Sequence, residues 1–519
     1  MKVKCIPEDF IVNEIIDFSS YPFLNYKITD NFLIIENKIK EKNNKEKEQK
    51  VYIILNIIKN SKEHFELIKF LKNYFSINDK NIFYCGIKDK HSISSQFFSL
   101  SFNINNYNNN DNFNLKGNLA FFKINNNIKD LLIKKKIIID DLKIKFLGLS
   151  FENINSDNIQ KNNFSITLRD IEKTKEEKII KNINNIKILG FPNFFDEQRF
   201  GSFKKINGIP GKYYFLRNYE KFIVTYLEPY EQDKKEIKEI KNFILANWRN
   251  WDQIKNKINN ISHLKKDRNF LEIYKIINFI SNFNGSPSFY KSTKFINKNL
   301  ILLFLNSYQS LLFNSLLNEF LKFISYYFNN IELYKFDRLN KISKLKYLEK
   351  INANYFYFYL PIENEKKQNN FFLIFYNYFN DIKLPLIGYD FLNLWDNFYL
   401  KYFEEKRFYL KNLNLLDENF FLNIKNILLK TKEKALQIIE KEGLDLEKMK
   451  IKSKLNIDVK TKFRNAFVIP ENLNYFIEKD DIYKNKLKVS LNFNLPKGSY
   501  ATILIKRISI WKLKMKKNF

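Results

Sequence analysis

The sequence has 519 residues, 45% of them hydrophobic, which excludes wholesale disorder and supplies apolar side chains for two or more domains. Lysine and arginine number 88 against 57 acidic residues, and the net charge of +31 suits a polyanion such as nucleic acid, although A/T-rich codons also enrich lysine and asparagine. Two cysteines, Cys5 and Cys85, exclude a disulfide framework, and the three histidines lack metal-ligand spacing. We expect a soluble intracellular protein, because we find no charge-free apolar window of about 18 residues and no signal-peptide pattern.

The first informative segment is Lys4–Glu14, with the sequence KCIPEDFIVNE. Phe10 and Val12 fall on one face, which predicts a strand that begins at Pro7. Charged residues stand just ahead of this strand. Taken alone, the segment is better explained as an ordinary exposed N-terminal edge.

The segment between this strand and residue 80 predicts a loop, a strand and a helix. Residues 38–50 are dense in charge and predict a solvated loop. The apolar run Val51–Ile58 predicts a buried strand. Ser61 is the predicted cap of a helix whose apolar face has helical spacing and consists of Leu67, Phe70, Leu71 and Tyr74.

A polar loop between two predicted strands carries the main candidate for chemistry. Residues 82–84 predict the first strand and residues 96–102 the second, and Gly86 gives the backbone freedom to turn. Asp89 stands between Lys88 and Lys90, and a positive field favours the ionised carboxylate that a nucleophile or a general base needs. The tripeptide by itself favours a solvated Lys-Asp-Lys turn.

The following region predicts an asparagine-rich loop at residues 103–114 and then further strands and a helix. The strands are expected at Leu119–Ile124, Lys136–Phe146 and Phe164–Leu168, and the helix at Glu172–Leu189.

Aromatic and polar residues alternate in the irregular segment at residues 190–201, GFPNFFDEQRFG. Such a segment is either part of a core or a platform on which a base stacks while arginine holds phosphate.

The rest of the chain, from about Lys212 to Lys460, is predicted to be mostly helical. Its clearest helix is an amphipathic one at Leu302–Phe323, and the aromatic runs 355–360 and 371–379 predict strands. Three β segments are expected at the end of the chain, at 464–469, 487–493 and 500–505, with a turn at 495–499.

Three segments together resemble the TruD family of tRNA pseudouridine synthases. Lys4–Glu14 matches the family segment Lys-x-x-Pro-Glu-Asp-Phe-x-Val-x-Glu, Gly86–Gln96 matches Gly-x-Lys-Asp-x-x-Ala-x-Thr-x-Gln, and Asn193–Gly201 matches Asn-Tyr-Phe-Gly-x-Gln-Arg-Phe-Gly. Shorter segments that resemble the family occur at residues 162–169, 308–310, 385–389 and 495–502. The resemblance runs nearly end to end, and its middle region is similar to archaeal and eukaryotic members.

The chain departs from the family pattern at Ser92, Ser94, Lys161, Phe194 and Asp196. None of these changes removes a group that the chemistry needs. Asp196 adds a negative charge near a site expected to receive RNA, and so bears on affinity.

The resemblance implies an α/β (α+β) protein with a pseudouridine-synthase catalytic fold, a mixed central sheet and a large inserted TRUD-type domain. Residues 1–216 together with 460–519 would form the catalytic domain, and residues 217–459 the inserted domain. RNA would lie in the cleft between the two domains.

The resemblance also implies isomerisation of uridine 13 in the D-arm of tRNA, possible without any cofactor or metal because no redox step or external group is involved. Asp89 would be the catalytic carboxylate. The expected supporting residues are Lys4, as its ion-pair partner, and Glu8, Phe10 and Gln96. The expected substrate-binding residues are Asn193, Phe195, Arg199, Lys88 and Lys90. Phe195 would stack on the flipped uracil. Lys88 and Lys90 would either contact RNA or support the loop.

Two alternatives are compatible with the same residues. One is an RNA-binding or RNA-remodelling protein without activity, and the other is a carboxylate-dependent nucleoside or glycoside hydrolase that pairs Asp89 with Glu8. We expect a monomer without a protein or membrane partner that acts in the cytoplasm, or in the nucleus of a eukaryotic cell.

Overall fold

A computed structural model describes residues 1–19, 21–28, 32–36, 50–86, 88, 92–103, 119–200, 208–230, 233–261, 264, 267–283, 286–328, 331–337, 355–361, 377–451 and 457–510. These residues belong to two compact units. The first combines Met1–Lys181 with Pro470–Ala501, and the second combines Asn182–Ile469 with Thr502–Phe519. The predicted domain boundaries at residues 216 and 460 follow from the resemblance and stay a prediction.

Several sequence-based predictions lie outside the described residues. They concern the catalytic candidate Asp89, its neighbour Lys90, and all but one residue of each of the loops predicted at 38–50 and 103–114, since Lys50 and Asn103 belong to strands.

The described strands are numbered β1 to β21 in chain order. They are β1 (Lys2–Val3), β2 (Phe10–Ile15), β3 (Tyr26–Ile28), β4 (Phe32–Glu36), β5 (Lys50–Asn60), β6 (Ile82–Tyr84), β7 (Ile93–Asn103), β8 (Leu119–Lys123), β9 (Lys136–Ile139), β10 (Leu142–Ser150), β11 (Lys161–Ile171), β12 (Phe191–Pro192), β13 (Ile331–Asp337), β14 (Tyr355–Pro361), β15 (Lys383–Leu386), β16 (Lys450–Ile451), β17 (Ile457–Asp458), β18 (Lys462–Asn465), β19 (Phe467–Val468), β20 (Glu471–Lys479) and β21 (Leu487–Pro496).

The described α-helices are numbered in the same way. They are α1 (His64–Phe75), α2 (Asn126–Lys134), α3 (Glu176–Leu189), α4 (Pro210–Phe215), α5 (Tyr219–Leu227), α6 (Lys235–Ala246), α7 (Trp251–Asn259), α8 (Arg268–Asn282), α9 (Ser286–Ser292), α10 (Lys298–Tyr327), α11 (Phe391–Asn412), α12 (Glu418–Lys441) and α13 (Ala501–Ile508).

A ten-stranded mixed sheet dominates the first unit. Its main strand order is β20-β21-β11-β2-β7-β5-β10-β9, with β1 paired to β11 and β6 paired to β7. The β2–β7 pair is parallel, and every other pair in this sheet is antiparallel. This arrangement places the N-terminal segment and the strand after the Asp89 loop side by side, and the prediction of a mixed central sheet is confirmed.

The core of the first unit forms where α1 covers β5. Alternate residues of β5 from Val51 to Ile57 are buried on one face, as period-two alternation requires. They join Leu67, Leu71 and Phe75 of α1, which recur every four residues, in one apolar cluster. The predicted strand and helix are therefore both confirmed.

The second unit contains a long buried helix, α10. Its 18-residue window with mean hydropathy 1.5 is long and apolar enough to cross a membrane, contrary to the expectation from the sequence, but 72% of that window is buried inside the protein. A core helix has this character. The predicted helix at 302–323 is thus confirmed, whereas its predicted amphipathic character is wrong, because buried residues lie on all its sides from Ser307 to Asn318.

Four local predictions are wrong at their boundaries. Pro7 begins a short 3-10 helix, Pro7–Asp9, and not the strand itself. The cap of α1 is not Ser61, because the helix begins only at His64. The single strand predicted at 136–146 is a hairpin, β9 and β10, whose turn places Asp140 at φ 47°. Residues 377–379, at the end of a predicted strand, are helical.

One predicted strand, at 500–505, is a helix. β-branched residues suggested a strand in this segment. The segment is nevertheless helical and mostly buried, and hydrogen bonds and an ion pair tie Thr502 and Lys506 of α13 to Asp196.

Candidate active site

A buried carboxylate, Asp9, fixes the N-terminal segment of the first unit. Its Oδ2 accepts hydrogen bonds from the backbone N–H groups of Cys5 at 3.0 Å and Ile6 at 3.2 Å, and its Oδ1 accepts one from Nε of Arg169 at 2.8 Å. Asp9 is 1% exposed. These bonds hold the turn that precedes Phe10 against β11.

The same arginine binds two further carboxylates. Nη1 of Arg169 donates to Asp480 at 3.0 Å and to Asp481 at 2.9 Å. The planar guanidinium of arginine suits contact with phosphate or carboxylate. The guanidinium of Arg169 is buried among three carboxylates of the same unit, which gives it a structural role.

Lys4 and Phe10 are neighbours in space. Lys4 has a left-handed backbone, with φ 59°, which few non-glycine residues adopt. Its Nζ lies 4.2 Å from the centre of the Phe10 ring, and Phe10 is buried. Glu8, by contrast, is exposed. The predicted site residues Lys4 and Phe10 are thus together, and Glu8 points to solvent.

The residue before Asp89 is anchored by its side chain. Nζ of Lys88 lies 3.1 Å from Oε1 of Glu14 and donates to Oδ1 of Asn162 at 2.7 Å. Glu14 on β2 and Asn162 on β11 face each other directly across the sheet. Lys88 therefore reaches into the sheet, and this favours the role in the loop over the predicted contact with RNA.

The backbone on the N-terminal side of Asp89 is held from two further positions. Nε2 of Gln96 donates to the carbonyl of Gly86 at 2.6 Å, and Nζ of Lys59, a fully buried lysine, donates to the carbonyl of Lys88 at 3.3 Å. Gln96 is 1% exposed, so its contribution is made inside the protein.

The backbone of Gly86 does not have a left-handed conformation. The expectation that this position needs glycine for its conformational freedom is therefore wrong. A Cβ at this position would meet Oε1 of Glu14 at 3.4 Å. This is an ordinary contact distance, so neither backbone conformation nor space explains the glycine.

Sequence reasoning missed Glu14 as a site residue. Its side chain is fully buried, and its Oε2 accepts the backbone N–H of Phe97 at 2.9 Å. Burial raises the pKa of the Glu14 carboxyl above its usual 4.5, and the nearby Lys88 ammonium opposes this effect. The signal was present, because Glu14 continues the buried face of Phe10 and Val12 along β2.

In the second unit, Asn193 is a buried hydrogen-bonding centre. Its Nδ2 donates to the carbonyl of Asn465 at 3.0 Å, and its backbone N–H donates to the carbonyl of Ala466 at 2.8 Å. Its Oδ1 accepts from Nη2 of Arg464 at 2.5 Å, and its carbonyl accepts from Nε of Arg464 at 3.1 Å. Asn193 is 4% exposed.

The strand that carries Asn193 into place requires a glycine. Gly190 has φ 66°, and a Cβ there would approach the carbonyl oxygen of Val468 to 2.2 Å. This close approach lets β12 pair with β19. The pairing places the start of the 193–200 segment beside Arg464.

Phe195 is fixed by α10. Asn314 accepts the backbone N–H of Phe195 at 2.9 Å and donates to its carbonyl at 2.8 Å, as a neighbouring strand would. The ring meets Phe313 edge to face at a centroid distance of 5.5 Å, and the guanidinium carbon of Arg464 lies 4.0 Å from the ring centre. Phe195 is 7% exposed.

Arg199 also contacts α10, through two serines. Its Nε donates to Oγ of Ser310 at 3.2 Å, and its carbonyl accepts from Oγ of Ser307 at 3.2 Å. Its guanidinium carbon lies 5.7 Å from the centre of the Phe195 ring. Asn193, Phe195 and Arg199 are thus brought together within the second unit.

Asp196, a departure from the family pattern in this segment, faces the interior of the protein. It is 5% exposed, pairs with Nζ of Lys506 and accepts from Oγ1 of Thr502 at 2.5 Å. Burial alone would raise its pKa, but the Lys506 ammonium and the hydrogen bonds outweigh burial and lower it. Asp196 is thus paired inside the protein with α13, and its effect on RNA affinity stays a prediction.

Two further residues of the second unit were missed as site residues, Asn314 and Arg464. Asn314 stands one turn after Ser310 and two turns after Ser307, a polar stripe at helical spacing in an apolar helix. That stripe was a readable signal. Arg464 is distinctive only as one of few arginines, and its partner is 271 positions away.

The second unit brings together an aromatic ring, an amide and two arginines, which are kinds of group that stack on bases and bind phosphate. Among the described residues, no group of three or more histidine, cysteine, aspartate or glutamate side chains has the spacing to hold a metal ion.

Comparison with known proteins finds relatives that span nearly the whole chain. The family model described as tRNA pseudouridine synthase D (TruD) matches residues 1–332 and 426–508. The "Probable tRNA pseudouridine synthase D 1" of Methanococcus maripaludis is 27% identical over 512 residues, covering 98% of this chain and 99% of the relative. The "tRNA pseudouridine synthase D" of Aquifex aeolicus is 24% identical over 482 residues, covering 91% and 94%.

A solved structure shares the fold. The crystal structure assigned to TruD of Methanosarcina mazei superimposes with a TM-score of 0.54 at 20% identity, covering 98% of this chain and 93% of that one. The mixed sheet and its surrounding helices therefore define a protein of the pseudouridine-synthase fold class. The chain belongs to the TruD family of tRNA pseudouridine synthases. It is accordingly an isomerase whose substrate is tRNA.

Proposed function

We propose that the protein isomerises uridine 13 in the D-arm of tRNA to pseudouridine, with Asp89 as the catalytic carboxylate. The observation that carries the proposal is the anchoring of Lys88, the residue directly before Asp89. Its side chain binds Glu14 and Asn162, and its carbonyl accepts from Lys59. Asp89, which the family motif identifies as the catalytic residue, thus directly follows a residue whose side chain and carbonyl are both bound by buried polar groups.

The chemistry needs a carboxylate and no electron transfer. The bond between the uracil nitrogen and ribose C1′ breaks, the uracil rotates, and a new bond joins its C5 to C1′. The hydrogen on C5 leaves as a proton, and the uracil N1 released from C1′ takes up a proton, so the product is an isomer of the substrate. An ionised carboxylate either attacks an electrophilic carbon or relays a proton, and both uses are compatible with Asp89.

The target uridine must leave its stack, which costs a few kcal/mol unless new contacts offset it. We assign the new stacking to Phe195 and the positioning of the base to Arg199 and, through the residues that it binds, to Asn193. In the first unit, Lys4 would be the ion-pair partner of Asp89. Phe10, whose ring contacts the Lys4 ammonium, would line the pocket that holds this pair. Gln96 would support the loop through Gly86.

The test uses tRNA transcripts labelled with tritium at uridine C5. Isomerisation releases tritium into water, hydrolysis yields free uracil, and binding without chemistry yields neither. We expect release from a wild-type transcript and none from a transcript in which uridine 13 is replaced by cytidine. Free uracil would establish the hydrolase instead, and tight binding without either product would establish an inactive RNA-binding protein. Equal release from both transcripts would show that another uridine is the target.

A further inference from the structure

The guanidinium of Arg464 covers the residue proposed to stack on the base. Its central carbon lies 4.0 Å from the centre of the Phe195 ring and 5.6 Å from that of Phe313. At 4.0 Å a planar cation lies in contact with an aromatic ring. The ring of Phe195 is 7% exposed, so little of it faces solvent while Arg464 holds this position.

Asn193 determines where this guanidinium lies. Nη2 of Arg464 donates to the side-chain oxygen of Asn193, and Nε donates to its backbone carbonyl. The remaining side-chain group of Asn193, its NH2, donates to the carbonyl of Asn465. The amide is therefore used inside the protein at both its oxygen and its nitrogen, and the residue is 4% exposed.

The three residues form a layered cluster with Arg464 on the outside. Asn193 and Phe195 are buried, whereas Arg464 retains partial exposure. An RNA that approaches this cluster meets the guanidinium before it meets either of the two buried residues. Contact with Asn193 through its amide would require Arg464 to be displaced first.

We infer that Arg464 is a further substrate-binding residue, which Asn193 holds at the Phe195 ring and which binds oxygen atoms of the target nucleotide once its guanidinium has moved off that ring to admit the base. This inference rests on the proposed function, because it assigns a role at the proposed uridine site. Asn193 is then a positioning residue that acts through Arg464. The guanidinium suits the role, since it is planar, permanently charged and able to donate paired hydrogen bonds to the oxygens of a uracil or a phosphodiester.

Two substitutions separate charge from shape. Arg464→Met removes both, and Arg464→Lys keeps the charge but loses the planar donor pair. The control is Arg407→Met, which removes an arginine on an exposed helix where its partner is Glu418. We expect Arg464→Met to lower kcat/KM for tRNA roughly a hundredfold, since hydrogen bonds to a charged group contribute on the order of 1.5–3 kcal/mol. Arg464→Lys should restore only part of this loss, with a thermal unfolding temperature close to that of the wild type.

Two results would overturn the inference. One is a kcat/KM for both Arg464 variants within about twofold of the Arg407→Met control. The other is full activity of Arg464→Lys together with unfolding of Arg464→Met, since this would make the arginine a structural cation. If the methionine variant does not fold, the lysine variant still decides the inference, because a partial loss of kcat/KM supports it and full activity overturns it.

A double-mutant cycle tests the role given to Asn193. If Asn193 acts through Arg464, then Asn193→Leu added to Arg464→Met lowers kcat/KM little further than Arg464→Met alone. Multiplied losses would show that Asn193 contacts the substrate independently and would overturn the positioning role.

The salt dependence of tRNA affinity tells which oxygens are bound. Loss of a phosphate contact lowers the slope of log affinity against log salt by about one, and loss of a base contact leaves the slope unchanged. Either outcome, accompanied by weaker binding, supports the inference. Affinity is measured without turnover, so a wild-type protein that binds tRNA but releases no tritium would contradict the proposed function without deciding the role of Arg464.

Discussion

Nζ of Lys88 lies 3.1 Å from Oε1 of Glu14, a carboxylate whose side chain is completely buried. Lys88 is one residue before the proposed catalytic carboxylate, and Glu14 lies in the N-terminal family segment. The ion pair therefore joins two motifs that are more than 70 positions apart in the chain. Breaking it should disturb both.

We predict that Lys88→Met destabilises the protein and lowers turnover together. The substitution leaves Glu14 as an unpaired buried carboxylate, and loss of one partner of a buried pair costs about 3–5 kcal/mol. The double variant Lys88→Met/Glu14→Gln should recover part of the lost unfolding free energy, because no charge is then buried alone. Urea unfolding measures both variants. A double variant less stable than Lys88→Met would show that Glu14 does not depend on Lys88 for its burial.

The raised pKa of Glu14 gives a prediction about pH. A carboxyl group that binds its proton more tightly in the folded state adds stability below its ordinary pKa, and loses this contribution as pH rises through the raised value. Relative to Glu14→Gln, the wild type should therefore lose stability as pH rises from 4.5 through the raised pKa. Unfolding free energies at several pH values measure the difference. A difference that does not change with pH, or that grows in favour of the wild type, would contradict the shift.

Arg169 should be needed for stability and not for contact with RNA. Arg169→Met leaves the buried Asp9 and Asp480 without their cation, and we expect the free energy of unfolding to fall by about 3–5 kcal/mol. The matched control is Arg249→Met, which breaks an exposed pair with Glu220 and should cost less than about 1 kcal/mol. Similar losses for the two variants in urea unfolding would show that the carboxylates around Arg169 tolerate its removal.

Asp196→Asn should weaken the fold without strengthening binding to tRNA. The substitution leaves Lys506 without this carboxylate, but the Asp196 side chain is 6% exposed and the Lys506 side chain 20%, so little of the uncompensated charge reaches RNA. We expect a loss of about 1–3 kcal/mol in unfolding free energy and an unchanged tRNA dissociation constant. Filter binding alongside urea unfolding measures both. Tighter binding by the variant would mean that Asp196 does repel RNA, as the sequence alone suggested.

Local patterns in the sequence predicted the parts of the site that lie within single segments. The alternation of Phe10 and Val12 predicted β2, and the helical spacing of Leu67 and Leu71 predicted α1. The same rules would have placed Glu14 on the buried face. Glu14 was passed over because a charged residue is rarely buried unless it has a partner, and Lys88 could not be assigned as that partner from spacing.

The site contacts that the sequence did not predict depend on pairing between strands that are far apart in the chain. Asn193 and Arg464 meet because β12 pairs with β19, and no local pattern connects those two strands. The segment at 500–505 failed for the opposite reason, since its local preference for a strand was overridden by tertiary packing of α13. The residues that face each other across a fold are set by topology, which composition and periodicity do not encode.

The central claim is that Asp89 performs the isomerisation, and the most direct test compares Asp89→Asn with the wild type on C5-tritiated tRNA. The matched control is Asp130→Asn, which removes an exposed carboxylate on α2. We predict that Asp89→Asn releases no tritium above background while it binds tRNA within about twofold of the wild type, and that the control does both normally. Tritium release by Asp89→Asn at a rate comparable to the wild type would remove Asp89 from the mechanism.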